Sequence, residues 1–155
     1  MQTLTTITHI SHDDLVNLFS TAFYGSNYLS ADYDETAESR EGDCYEDIMA
    51  RHLIKGGTIQ VTDHSSDTPY GKLPHVADED EECVTYYVNI NDIIDGLERA
   101  ANGKFHCEGS AEYQEDEKES ARVSFWSLAN EDLDFDLVRA DVLMQIILFD
   151  EIIYG

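Results

Sequence analysis

The side chains most able to do chemistry in this chain are carboxylates, and they come in blocks. A first block holds Asp32, Asp34, Glu35, Glu38, Glu41, Asp43, Glu46 and Asp47, and a second is the run Asp78, Glu79, Asp80, Glu81 and Glu82. A third comprises Glu108, Glu112, Glu115, Asp116, Glu117 and Glu119, and a fourth Glu131, Asp132, Asp134, Asp136 and Asp141. On a helix, carboxylates three or four residues apart lie about 5–6 Å from one another. That is comparable with the phosphate spacing along one nucleic-acid strand, so a line of blocks can offer a basic groove the charge pattern of nucleic acid. For any one block taken alone, a solvated acidic loop is the stronger reading; four blocks together bring the two readings level. Tyr24, Tyr28, Tyr33 and Tyr45 flank the first block. Tyrosine beside carboxylate suits recognition of Arg and Lys through ion pairs and cation–π contacts, although rings packed over the edge of a core are the commoner case. The expected contact residues are Asp32, Asp34, Glu35, Glu38, Glu41 and Asp43 with Tyr28 and Tyr33, together with Asp78 to Glu82. Trp126 divides evenly between core and interface.

Other chemistries find less in the sequence. His64, His75, Cys83, His106 and Cys107 are soft ligands without zinc-type pairing, and adjacent His106 and Cys107 are poorly placed to share one ion. The run 78–82 lacks the ligand spacing of a calcium loop. No metal site and no cofactor is predicted. There is no nucleophile elbow, no phosphate-cradling glycine loop and no HExxH motif. Carboxylate pairs are too numerous to single out an acid/base couple. Cys44 stands near an expected helix start, but Asp43 and Glu46 oppose any lowering of its thiol pKa. A non-enzymatic role is therefore expected.

Charge sets the class of partner. Thirty-three acidic residues stand against nine basic ones, for a formal net charge of -24 over 155 residues. Self-repulsion at that density opposes compactness, while the field attracts and steers a basic protein. Solubility or adaptation to high salt is one competing account and neutralisation by divalent cations another; twelve isoleucines with a rich aromatic set weigh against salt adaptation, though scarce Lys fits it. Direct contact with nucleic acid or an anionic membrane is disfavoured by like charge. The apolar fraction of 42% is that of a folded domain. Three cysteines without CxxC spacing do not make a secreted disulfide framework, and the first residues lack the signature of a signal peptide, so a cytoplasmic location is expected.

The elements that must position these groups follow from periodicity. Residues 1–10 alternate weakly, as a short strand or an ordered arm. A helix opens at Ser11 or His12 and stops at Gly25, and a second spans roughly Asp43 to Lys55 before Gly56-Gly57. Strands are predicted over Thr58 to Asp63 and Val84 to Ile90, with loops over 26–43 and 64–82. A third helix, capped by Asn89 or Asn91, ends at Asn102-Gly103. The acidic segment 104–118 is a loop or an undefined strand, followed by a helix from about Glu119 to Asn130. The last segment, roughly Phe135 to Ile153, is apolar on nearly every side and belongs at the centre of a domain, with Ile152-Ile153-Tyr154 as an alternative short strand.

Several stretches resemble a group of small acidic proteins from phages and mobile elements. They are Thr21-Ala22-Phe23-Tyr24-Gly25-Ser26-Asn27-Tyr28, Gly56-Gly57, Ile93-Ile94-Asp95-Gly96-Leu97, and the close from Ala140-Asp141 to Phe149-Asp150-Glu151-Ile152-Ile153-Tyr154-Gly155. The likeness covers most of the chain except 104–120, and its motifs are structural. Proteins of that setting include antirestriction DNA mimics and anti-CRISPR proteins, so the resemblance implies an anti-defence role by analogy and assigns no site residue.

The reading is a single α+β domain over residues 1–155, with a small antiparallel sheet packed against several helices and a buried C-terminal helix. Its expected function is that of a non-enzymatic inhibitor that binds the basic nucleic-acid-binding surface of a host defence nuclease. The alternative is an acidic accessory or scaffold protein of a phage or plasmid that pairs with a basic partner. Self-association into a homodimer is left open.

Overall fold

The apolar spacing becomes five helices and four strands in the computed structural model, which describes residues 4–155. Helix α1 (His12–Tyr24) begins where Ser11 Oγ accepts the amide of Asp14 at 3.1 Å, and it buries Leu15, Leu18, Phe19 and Ala22. Helix α2 (Tyr45–Ile54) starts with Asp47 accepting the amide of Cys44 at 3.1 Å. Helix α3 (Ile90–Asn102) is opened by reciprocal bonds between Asn89 and Asp92 and stopped by Gly103, whose φ of 63° is left-handed. Helix α4 (Ala111–Ala129) leads through an acidic connection to α5 (Leu137–Phe149). Residues Val142 to Phe149 of α5 are all buried, as its all-round apolar pattern requires.

The strands are β1 (Leu29–Tyr33), β2 (Ile59–Asp63), β3 (His75–Asp78) and β4 (Cys83–Val88). They form one antiparallel sheet in the order β1-β2-β4-β3. Alternation sends Ile59, Val61, Val84, Tyr86 and Val88 into the core, while Gln60, Thr62, Thr85 and Tyr87 face the other way and keep access to solvent. One core cluster takes residues from every helix and from the inner face of the sheet, from Ile10 to Phe149. The architecture is α+β, with the C-terminal helix inside.

Four sequence expectations need correction. Leu29–Tyr33 was expected in a loop but is an edge strand: only Leu29 is buried, so the segment carries almost no apolar signal. His75–Asp78, also expected in a loop, is exposed along its whole length and is held only by pairing to β4. Helix α4 starts at Ala111, not near Glu119. Its first turns have no apolar face, and the start rests on Ser110 Oγ accepting the amide of Tyr113 at 3.2 Å. Ile152–Tyr154 continues neither the expected helix, which ends at Phe149, nor a strand; it is a tail bonded to Gln145 of α5.

Of the N-terminal arm, residues 1–3 lie outside the described ones. Residues 4–10 are an ordered arm and not a strand, tied to α3 by Thr5 and Asn102 (2.8 and 2.9 Å) and by the Ile7 amide to Glu98 (2.9 Å). Among the described residues no helix is long and apolar enough to cross a membrane. Cys44, Cys83 and Cys107 are all free thiols.

Candidate functional site

Strand register fixes where the acidic blocks stand. Tyr33 ends β1 opposite Ile59, which itself lies opposite Val88, so the segment after Tyr33 leaves the sheet at that end. Residues 79–82 turn between β3 and β4 at the other end, where Asp78 pairs with Cys83 and Val84 with Asp63. Because β1 and β3 are also opposite edges, the first two blocks occupy diagonal corners of the sheet. Strand spacings of about 4.8 Å and rises of about 3.4 Å per residue put those corners roughly 20 Å apart. They do not form one contiguous patch.

The first block is largely occupied with its own fold. Glu38 accepts from Arg40 Nε at 3.0 Å and from Lys55, and these bonds hold its carboxyl down at about 2. Asp43 takes both guanidinium nitrogens of Arg51 at 2.9 and 3.0 Å, which, with a bond from the Arg40 amide, keeps it below the usual aspartate range. Asp32 accepts from the Tyr45 hydroxyl and the Tyr33 amide, and Asp34 from the hydroxyl and amide of Thr36. Glu35 and Glu41 are exposed and have no cation partner among the described residues. Tyr33 lies half-buried with its ring against Tyr45, centroids 4.7 Å apart. Tyr28 was expected at the contact surface, but it points inward. Its hydroxyl donates to Asp141 and its ring meets Tyr154 edge-on; burial, then the Asp141 bond, push its ionisation far up.

Glu38 leads to a pH prediction. A folded-state value below the ordinary 4.5 means that its contribution is present above pH 4.5 and is lost as pH falls toward 2. Amide exchange in the 34–43 loop is expected to accelerate between pH 4.5 and 2. In Glu38→Gln the loop should already exchange faster at neutral pH, with the acid-induced step reduced to the part that Asp34 and Asp43 contribute. Exchange mass spectrometry at matched intrinsic rates is the check.

In the second block all five carboxylates are exposed, and none has a cation partner among the described residues. Asp78 Oδ1 accepts the amides of Asp80 and Glu81 (3.1 and 3.2 Å) and closes the turn. The third block shows what the helix does to it. Glu112, Glu115, Asp116 and Glu119 are exposed on α4 at three- and four-residue steps, an acidic ridge, while Glu117 turns partly inward and is raised by burial. Arg122 bonds Glu115 at 3.4 Å and Glu119 at 3.2 Å. The ridge runs on into a surface cleft that contains Glu119, Arg122, Val123, Trp126, Asp132, Asp134 and Arg139, with the indole of Trp126 45% exposed. In the fourth block Asp136 caps α5, and Asp141 is held by Tyr28 and Gln145.

The structure therefore joins the α4 ridge to an exposed indole, a set that the expected contact residues left out. The signal was present as the helical spacing of 112, 115, 116, 119, 123 and 126, hidden because half of it lies in a segment without an apolar face. Carboxylates at regular steps beside an aromatic face can bind Arg and Lys side chains by ion pairing and cation–π contact.

Fold and surface together describe an acidic α+β protein with an anionic face on α4. No protein-family model, no curated protein and no solved structure matches the chain.

Proposed function

We propose that this chain is a non-enzymatic acidic inhibitor, carried by a phage or other mobile element, that binds the basic nucleic-acid-binding surface of a host defence nuclease in place of nucleic acid. The observation that carries the reading is the α4 ridge: Glu112, Glu115, Asp116 and Glu119 follow one helix face about 5–6 Å apart, near the pitch of phosphates on a strand. The hairpin 78–82, whose carboxylates have no cation partner among the described residues, adds a second anionic point. The formal charge of -24 supplies the long-range attraction.

The test is inhibition of DNA cleavage by purified restriction endonucleases and CRISPR effector nucleases, with duplex DNA as competitor. At least one nuclease is expected to be inhibited, with relief by excess DNA and by raised salt. Neutralising the ridge (Glu112→Gln, Glu115→Gln, Asp116→Asn, Glu119→Gln) should weaken inhibition about tenfold or more and flatten its salt dependence. Equal inhibition by the neutralised protein would remove the ridge from the reading. Binding to basic proteins without loss of cleavage would point to an accessory or scaffold role.

A further inference from the structure

His106, Glu108 and Glu151 meet at a place that the acidic-surface reading does not use. The chain is extended at His106: its amide donates to the Asp150 carbonyl at 2.9 Å, and the residue forms a parallel bridge with Glu151. In extended backbone, residues two apart share a face, so His106 and Glu108 project together while the bridge sets Glu151 beside them. His106 Nε2 lies 3.1 Å from Glu108 Oε1 and 4.0 Å from Glu151 Oε1, and the three ligand atoms all fall within 4.8 Å of one another.

Both backbone segments are anchored. Phe105 is buried immediately before His106. Asp150 ends α5 in the left-handed conformation, its amide bonded to the Ile146 carbonyl at 3.0 Å and its carboxylate paired with Arg99. His106 and Glu151 also line a cleft of about 660 Å³ with Asp95, Arg99, Phe149 and Lys72.

We propose that His106, Glu108 and Glu151 bind one divalent transition-metal ion of the Zn²⁺ type, with the remaining coordination open toward the cleft. The donor set selects the metal class. Mg²⁺ and Ca²⁺ prefer all-oxygen shells of six or more ligands, whereas imidazole with carboxylates suits zinc and its neighbours. Zinc bonds of about 2.0–2.2 Å in a tetrahedron place ligand atoms about 3.4 Å apart. The two histidine–carboxylate separations, 3.1 and 4.0 Å, bracket that value, and the carboxylates lie within 4.8 Å of each other, so the solvent-facing side chains close on an ion by rotation. The ion takes the place of the proton that Nε2 donates to Glu108, which is released to solvent on binding. Cys107 takes no part, since its thiol bonds the Phe105 carbonyl.

The site stands independently of the proposed inhibitory role. Its test is calorimetric titration of the whole chain with ZnCl₂ in millimolar excess of MgCl₂, which saturates weak carboxylate binding. One Zn²⁺ per chain is expected to bind against Mg²⁺. His106→Ala and Glu151→Gln should each weaken it by at least about tenfold, since even partners outside the ligand set are worth that much. Glu79→Gln with Glu81→Gln, which removes more charge from the hairpin, should leave it unchanged. Co²⁺ in place of Zn²⁺ should give visible d–d bands that disappear in His106→Ala, with circular dichroism confirming the fold. Displacement by Mg²⁺, no binding at all, or equal Zn²⁺ affinity in His106→Ala and the parent chain would each overturn the proposal.

Discussion

Gly96→Ala is expected to destabilise the protein, and Gly96→Val to do so by about 3 kcal/mol or more. Gly96 lies buried in the middle of α3, where alanine is ordinarily the better residue by about 1 kcal/mol. A Cβ there would stand 2.6 Å from Ile147 Cγ1 and 2.7 Å from Ile147 Cα. The side-chain atom can move aside, but the Cα cannot move without shifting α5, which is buried from Val142 to Phe149. Overpacking of this kind costs about 1–3 kcal/mol, so it outweighs the helix-propensity gain for alanine. Valine adds two methyl groups and a χ1 restriction at the same point. Urea unfolding with an unchanged m-value is the measurement. An alanine variant more stable than the parent would mean that α3 and α5 do not approach this closely.

Gln145→Leu is expected to cost about 3–4 kcal/mol, a large part of the 5–15 kcal/mol typical of a whole domain. Gln145 is fully buried in α5, and its amide is used to capacity. Oε1 accepts the amides of Ile153 and Tyr154 at 2.7 and 2.8 Å, while Nε2 donates to the Tyr154 carbonyl at 2.9 Å and to Asp141 at 2.7 Å. Leucine keeps the volume and removes every one of these bonds. If the tail stays seated, its backbone groups are left unpaired at about 1–3 kcal/mol each. If it peels away, the Tyr154 hydroxyl leaves Asp63, which it reaches at 2.8 Å, and that wholly buried carboxylate keeps only Ser65. Truncation after Glu151 should therefore cost about as much as Gln145→Leu, and the two together little more than either. Chemical denaturation of the three variants tests this; full additivity would show that Gln145 and the tail are not coupled.

Legibility followed apolar signal. Helices α1, α2 and α3 and strands β2 and β4 each bury a regular face, α5 is buried all round, and each lies close to its expected place. Strands β1 and β3 are edges with little to bury and read as loop, and the first half of α4 is exposed acid and reads as a loop or an undefined strand. The same lack of apolar signal kept the α4 ridge out of the expected contact residues. The blocks at 32–43 and 78–82 lie at opposite corners of the sheet, whereas the carboxylates with helical regularity begin within 104–118, a segment that has no apolar period.

Composition and period alone account for the surplus negative charge, the mixed α+β character and the burial of the last helix, because each is a sum or a repeat over neighbouring residues. Which carboxylates remain free is a different kind of property. Arg51 and Lys55 quench Asp43 and Glu38 only because α2 lies alongside the preceding loop, and His106 meets Glu151 only because the end of α5 bridges to the segment after α3. Charge pairing and ligand grouping act over a few ångströms in space, between residues far apart along the chain, so they came into being with the packing and had no local pattern to announce them.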